Sequence, residues 1–374
     1  MTQMPQRTPD SSACTAPSAI YVGLDLGVRR THLCAIDATG KKLKHGSVAS
    51  TEDGLMRWVE EFPGAHAVLE TGATSRWVEA FLRRHGWRAI TTDAAHVAPE
   101  LRGRGEKSDA RDAAHLAKLL RTGSAQLCPV HHKPEQFYFD YTTVVARAAA
   151  VAVRTKLLNQ LHGIAKTLGK KLSKSSVSTV LGELPTVLPQ ELGAATDGLR
   201  RILECVDAEI RTYDAALEEI AQRHVITARL REIPGVGRVT AVTFALVVFQ
   251  VTRFPSGDAL AAYLGLTPRR YQSGERDPEC RITKQGNPRL RSTLIQAANY
   301  LLTHGPDCDL KRWALRYCER AGGGKTVRKR AVVALARKLV VVMYALWKKG
   351  GHFEPLRTTH AEAAAQEERL RRAG

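Results

Sequence analysis

Residues 20–37 read Ile-Tyr-Val-Gly-Leu-Asp-Leu-Gly-Val-Arg-Arg-Thr-His-Leu-Cys-Ala-Ile-Asp, two apolar, β-favouring runs broken around Gly27-Val-Arg-Arg. Runs of this length on either side of a turn signal predict two short strands rather than a helix. Asp25 stands in the middle of the first, in Val-Gly-Leu-Asp-Leu-Gly. An ionised carboxylate on a buried strand is costly unless it is paired or bound to a metal. Asp25 is therefore the first candidate for chemistry.

Working outward, the turn at Ala38-Thr-Gly-Lys leads to a third strand across Lys42 to Val48. Helical spacing of Leu55, Trp58, Val59 and Phe62 predicts a helix over Asp53 to Glu61, and Ala65 to Glu70 alternates so little that it reads as a strand buried on both faces. Ser75 to His85 is a helix closed by Gly86, and Trp87 to Thr91 a fifth strand. Three adjacent strands followed by alternating helix and strand is the order of a ribonuclease-H-like mixed sheet. A helix over Ala94 to Glu106 then runs into a basic loop, and Ser108 is a natural N-cap for a further helix through Arg121.

Three more carboxylates fall at positions of interest. Glu70 ends the fourth strand, and Asp109 and Asp112, three apart, project from one face at the start of a helix. Together with Asp25 they can converge on one or two magnesium (or manganese) ions, whose preference is for hard oxygen ligands. Each has a plainer reading: acidic residues favour a helix N-terminus through the dipole, and Glu70 precedes a Thr-Gly turn. A Gly-x-Asp-x-Gly strand also opens actin-like sugar kinases, but the second Asp-x-Gly-Thr hairpin that fold needs is missing from the sequence.

Charge divides the chain. Its 374 residues carry 56 Lys and Arg against 37 Asp and Glu, a net +19. Residues 281–350 hold 16 of the cations and only 3 of the acids, so most of the excess lies there, and an anionic polymer, nucleic acid ahead of membrane, is the implied partner. The longest apolar run, Leu339 to Trp347, is well short of the roughly 18–20 residues of a membrane span. Residues 1–18 have no hydrophobic stretch of the signal-peptide kind and read as a disordered lead-in. Seven scattered cysteines without a CxxC pair suit a reducing cytoplasm, and Cys128-Pro-Val-His131-His132, the nearest thing to a zinc cluster, lacks a second ligand pair.

Phe137 to Gly169 is Ala/Val/Leu-rich and helical. Arg201 to His224 carries Leu203, Val206, Ile210, Tyr213, Leu217 and Ile220 at 3–4–3–4–3 spacing, a heptad seam that serves either an intramolecular hairpin or a dimerisation arm. Between them lies a basic, flexible Gly169-Lys-Lys-Leu-Ser-Lys-Ser-Ser. Ile233-Pro-Gly-Val-Gly-Arg238 has the form of a helix-hairpin-helix turn, in which Gly235 and Gly237 let backbone N–H groups, and Arg238 its charge, approach a phosphate. A mostly helical domain follows, interrupted by a loop near Pro268 to Arg281. There Ser273 lies among Arg269, Arg270, Arg276, Arg281 and Lys284, with Arg289 and Arg291 on the next helix. A serine hydroxyl in that setting can attack phosphorus if activated, although Ser-Gly in a loop is ordinarily a turn. Gly322-Gly-Gly-Lys-Thr is not a phosphate loop, since Glu319 occupies the place of the first glycine, and reads as a flexible joint into a basic helix over Val327 to Lys349.

Gly23-Leu-Asp25, Leu69-Glu70-Thr-Gly, Lys107-Ser-Asp109-Ala-Arg-Asp112-Ala, Ile233-Pro-Gly-Val-Gly, Phe254-Pro-Ser, Ala262-Tyr-Leu-Gly-Leu-Thr-Pro, Ser273-Gly and Ile282-Thr-Lys-Gln-Gly-Asn occur in this order. In these strings the chain resembles the IS110 family of insertion-sequence transposases from Ile20 to about Lys349. The resemblance implies a RuvC-like domain over 19–125, a helical coiled-coil linker over 135–225, a transposase domain over 226–350 and a polar tail over 351–374. It implies an acidic tetrad of Asp25, Glu70, Asp109 and Asp112 holding magnesium, and Ser273 as a nucleophile that forms a phosphoserine link to DNA before strand exchange. It also implies a homo-oligomer, dimer or tetramer, guided by a structured noncoding RNA that pairs with donor and target DNA in the bacterial nucleoid. The family loop often reads Ser-Ser-Gly, whereas Gln272 precedes Ser273 here. The competing expectation is a structure-specific endonuclease of the junction-resolvase kind, which needs the carboxylates and not the serine.

Overall fold

The computed structural model describes residues 19–93, 109–123, 127–130, 132–269 and 281–357. The opening hairpin is β1 (Tyr21–Leu26) and β2 (Arg30–Ile36), antiparallel, with Asp25 opposite His32. The amide of Gly27 donates to the Arg30 carbonyl at 3.0 Å and closes the turn. On the outer side, β3 (Lys42–Ala49) pairs antiparallel to β2. On the inner side, β4 (His66–Glu70) runs parallel to β1, and β5 (Arg88–Thr92) parallel to β4. A two-residue strand, β6 (Pro129–Val130), completes a mixed sheet of order β3-β2-β1-β4-β5-β6.

Side chains alternate between the two faces of each strand, and each face has its own helical cover. Val22, Leu24, Leu33, Ala35, Ala67, Leu69 and Ala89 form one core with Leu55, Trp58, Val59, Val78, Phe81 and Leu82. The last six belong to α1 (Glu52–Glu61) and α2 (Ser75–Arg84). The opposite face is covered by α3 (Asp109–Thr122), whose Ala113 and Ala117 meet Cys34 and Ile36 while Leu116 and Leu119 meet Val68. Gly23 is what lets α3 approach: a Cβ there would fall 2.0 Å from the Ala113 carbonyl oxygen and 2.5 Å from the Ala117 nitrogen.

The described strands and helices of the sheet region are present within a residue or two of where periodicity puts them. The helix expected over Ala94 to Glu106, and Ser108 as a cap, lie outside the described residues. Strand β6 was not anticipated. It takes up part of the Cys128–His132 string, whose Cys128 carbonyl accepts from the Asp93 amide at 3.3 Å. His132 Nε2 lies 3.1 Å from Thr91 Oγ1 and 3.5 Å from the buried Glu79 carboxylate. Burial pushes the His132 imidazole below its usual range. These contacts give that string a structural use; His131 lies outside the described residues.

The chain separates into two compact units, Met1–His132 and Lys133–Gly374. The second opens with α4 (Glu135–Thr167), α5 (Val177–Val187) and α6 (Gly193–Arg223). Val144 packs with Leu217, Ile220 and Ala221, and Leu161 and Ala165 with Leu203, so α4 and α6 run antiparallel. Arg147 to Asp214 (2.9 Å) and Arg154 to Asp207 (3.1 Å) tie them along their length. Leu203, Ile210, Leu217 and Ile220 of the heptad seam are buried, with Val206 and Tyr213 half-buried. The seam is thus occupied within the chain. Helix α6 starts at Gly193 rather than Arg201, because the glycines and Asp197 of its first two turns look like loop in sequence while Thr196 is buried in the fold.

The remaining helices are α7 (Ile226–Leu230), α8 (Arg238–Val248), α9 (Gly257–Tyr263), α10 (Pro288–Thr303), α11 (Asp309–Arg320) and α12 (Gly324–Lys349). They enclose a single core that includes Leu230, Phe244, Leu260, Leu294, Leu301, Leu335, Leu339 and Met343. Gly322, Gly323 and Gly324 all have positive φ, which makes them the joint expected before α12. Among the described residues no helix is long and apolar enough to cross a membrane.

Candidate functional site

The register of β1 against β4 pairs Leu24 with Leu69. The next residues, Asp25 and Glu70, therefore stand side by side at the C-terminal ends of adjacent parallel strands, one residue short of the end in β1. Alternation puts Asp25 on the face of Gly23 and Glu70 on the face of Val68, and both of those residues lie under α3. Helix α3 runs antiparallel to β1. Its end carries Arg121 beside Ala38 (3.4 Å), and its start carries Asp109 to within 3.7 Å of His32 Nε2. His32 is the residue opposite Asp25, so the first turn of α3 lies over the end of the sheet where Asp25 and Glu70 stand.

Asp25, Glu70 and Asp112 are half-buried, and the Asp109 side chain is 63% exposed. The four expected carboxylates are thus delivered by three elements to one end of one face. Their chemistry, four hard oxygen donors within reach of solvent, fits a divalent cation of the magnesium kind. Among the described residues no three His, Cys, Asp or Glu are already gathered at metal-binding distance. His32 was missed in the sequence. Its signal was the hairpin itself, since a tight turn at 27–30 sets Asp25 against His32 by counting.

In the helical unit, the turn of Ile233-Pro-Gly-Val-Gly is held by a 3.0 Å bond from the Val236 amide to the Ile233 carbonyl. Gly235 adopts φ +86° and presses on α10, where a Cβ would lie 2.6 Å from the Ala297 carbonyl oxygen. Gly237 caps α8, and a Cβ there would meet nothing within 4 Å. Arg238, on the first turn of α8, reaches Asp214 at 2.7 Å and Glu218 at 3.1 Å. Burial alone would raise the Asp214 carboxyl, but the guanidinium groups of Arg147 and Arg238 hold it below the usual carboxylate range.

The strings around Tyr263 and Gln285 are packed backbone to backbone. Gly286, at φ +67°, would place a Cβ 2.1 Å from the Tyr263 carbonyl oxygen, and Gly265, at φ +68°, 2.4 Å from the Gln285 nitrogen. Pro268 and Ile282 form an antiparallel bridge, with the Arg269 amide donating to the Arg281 carbonyl at 3.0 Å. Arg269 and Arg281 are thereby held together, and both are exposed, as is Lys284. Arg270, Ser273 and Arg276 lie outside the described residues. Arg291 donates to the carbonyls of Leu264 (3.1 Å) and Gln285 (2.6 Å). Arg289 is half-buried and has no ion-pair partner among the described residues. Asn287 caps α10 through the Leu290 amide at 2.9 Å and donates to the Tyr141 hydroxyl at 2.7 Å.

Comparison with known proteins finds two matches, the first of which runs from the sheet through α4. Residues 22–168 match the DEDD transposase domain of the IS110 group, described as "Transposase", and residues 227–312 match "Transposase IS116/IS110/IS902 family". A transposase for insertion sequence element IS1111A from Coxiella burnetii is 32% identical over 54% of this chain and 56% of its own length. A probable family 20 transposase from Pseudomonas aeruginosa is 26% identical over 56% of the chain and 63% of its own. The insertion element IS110 uncharacterized 43.6 kDa protein of Streptomyces coelicolor is 26% identical over 57% and 52%. The chain thus spans little more than half the length of these curated relatives. With the two matches in order, one on the carboxylate-bearing sheet and one on the glycine-locked helical region, the chain belongs to the IS110/IS116/IS902 transposase family.

Proposed function

We propose that the protein is a DNA transposase and recombinase, which excises and inserts an element by metal-dependent strand cleavage and exchange. One observation carries the reading: Asp25, Glu70, Asp109 and Asp112 arrive from β1, β4 and α3 at one end of one sheet face. The unit that bears them is read as ribonuclease-H-like, of the RuvC kind. These four residues would hold a divalent cation, magnesium or manganese. Bound there, it would neutralise phosphate charge and lower the pKa of a coordinated hydroxyl. Asp25 and Glu70 sit toward the ends of paired strands, and Asp109 and Asp112 on a helix packed against Gly23, so regular elements would present the ligands.

Ser273 is the nucleophile in this reading. Its Oγ bonds to phosphorus as the ester bond to the neighbouring sugar breaks, and the serine proton ends on the departing sugar hydroxyl. Arg269, Arg281 and Lys284, exposed on either side of Ser273 in the chain, would hold the phosphate. The names of the relatives support DNA as substrate. A structured noncoding guide RNA and a dimeric or tetrameric working form rest on the family resemblance.

The test is cleavage of element-end DNA by the full chain copurified with its host RNA. Ser273→Ala is expected to abolish the covalent protein–DNA product, and Asp25→Asn to abolish cleavage while DNA binding persists. Wild-type cleavage by Ser273→Ala would overturn the serine and leave an endonuclease of the junction-resolvase kind. Wild-type cleavage by Asp25→Asn would overturn the carboxylate site. Sequencing of the copurified RNA should return one discrete species mapping beside the gene; bulk RNA alone would count against a guide.

A further inference from the structure

Away from both regions above, α11, α12 and residues 350–357 enclose a cleft of about 620 Å³. The segment that closes it is anchored at two points. The Asp309 amide donates to the Pro355 carbonyl at 2.8 Å, and the Phe353 amide to the Glu232 carboxylate at 2.9 Å. Its walls carry Arg316 from α11, Lys338 and Lys349 from α12, and Arg357 beyond, against the two carboxylates Asp309 and Glu354. Lys338 is held by Trp313, whose ring centroid lies 4.5 Å from its Nζ. Arg316, Lys349 and Arg357 are exposed and have no ion-pair partner among the described residues.

This differs from the other arginine clusters of the unit. Arg238, Arg312 and Arg337 are matched to Asp214, Asp307 and Asp258. Unmatched cations gathered around a concavity repel one another, and a fold tolerates them most easily when an anion neutralises them. At about 620 Å³ the cleft has the volume of a small-ligand pocket, far less than a segment of duplex occupies. It is of a size to take a short length of one strand, the arrangement by which cationic grooves beside an aromatic wall track a phosphodiester backbone. From this geometry we propose that the α11–α12 cleft binds the phosphodiester backbone of single-stranded nucleic acid. The proposal does not depend on strand cleavage.

The experiment is fluorescence anisotropy of labelled dT12, U12 and a 12-base-pair duplex with the full chain in EDTA, across a salt series. The triple variant Arg316→Ala/Lys349→Ala/Arg357→Ala is compared with Lys41→Ala/Lys42→Ala/Arg57→Ala, which removes three exposed cations from the sheet unit. Each lost contact with a single strand should lower the slope of log affinity against log salt by about 0.7, so the cleft variant should lose about 2. A loss on dT12, on U12 or on both supports the proposal and identifies DNA, RNA or either as the strand. An unchanged slope, an equal loss in the control variant, or a loss confined to the duplex would overturn it.

Discussion

At one end of the sheet, four carboxylates stand half-buried or exposed near the ends of two strands and on the first turn of a helix. In the helical unit, several of the arginines that looked ready for phosphate are engaged inside the fold. Arg238 bridges Asp214 and Glu218, and Arg291 ties two backbone carbonyls. Arg269, Arg281, Lys284 and Arg289 are the ones left outside such pairs among the described residues. A charged residue near a motif can serve either a ligand or the fold. An arginine is long enough to reach an acid on the next helix, as Arg238 does, and can be taken up by the fold in that way.

That contrast can be broken most sharply at the glycines that set each region. Gly23→Ala pushes a methyl into the α3 backbone, and neither side can yield without moving a main chain. A loss of about 3 kcal/mol is expected in urea unfolding, with α3 displaced from the sheet. Gly237→Ala, which meets open space, should cost under about 1 kcal/mol through the weaker cap. Equal costs at the two positions would show that α3 is not seated on β1 as described.

Gly286→Ala comes next. Its methyl collides with the Tyr263 carbonyl, and its positive φ adds strain, so a loss of about 2 kcal/mol is expected in urea unfolding. Unchanged stability would separate the two strings that the backbone contact joins.

The arginines give the third comparison. Arg238→Ala should destabilise the unit by about 1 kcal/mol, a figure reduced for its partial exposure, by leaving Asp214 with Arg147 alone. Arg289→Ala should leave the melting temperature unchanged and lower the salt slope for duplex DNA binding by about 0.9. The reverse assignment of the two effects would place Arg238 on the DNA.

The smallest effect is acid sensitivity of the α4–α6 hairpin. The Asp207 carboxyl is lowered by hydrogen bonds from Arg211 and Arg154, and Asp214 is held low by Arg147 and Arg238. Groups with a depressed folded pKa stabilise above their unfolded value of 3.8, and that contribution is lost as the pH falls below it. Circular dichroism should show wild-type thermal stability dropping toward the Asp207→Asn/Asp214→Asn level below about pH 4. A constant gap between the two at all pH values would remove these pairs as the cause.

How much was legible follows from the range of the signals. Strands β1 to β5 and helices α1 to α3 announce themselves through period and turns, because burial on one face imposes that period on neighbouring residues. Asp25 could be singled out because a carboxylate in an apolar strand is locally anomalous, and the heptad seam of α6 because its spacing is local too. Strand β6 could not be foreseen, since two residues carry no period. His32 was hidden by being an unremarked polar residue in a strand, although hairpin counting reaches it.

A mixed sheet followed by helices, the candidate acidic residues and the concentration of positive charge toward the C-terminal part are all legible in the chain as written. The sequence could not say that Asp25, Glu70, Asp109 and Asp112 share one end of one face, because that depends on the β1–β4 register and on the direction in which α3 crosses. Nor could it say which arginines are free. Ion pairing is settled by distances between residues far apart in the chain, such as Arg147 with Asp214, or Arg337 with Asp258. Only packing brings those pairs within hydrogen-bond reach.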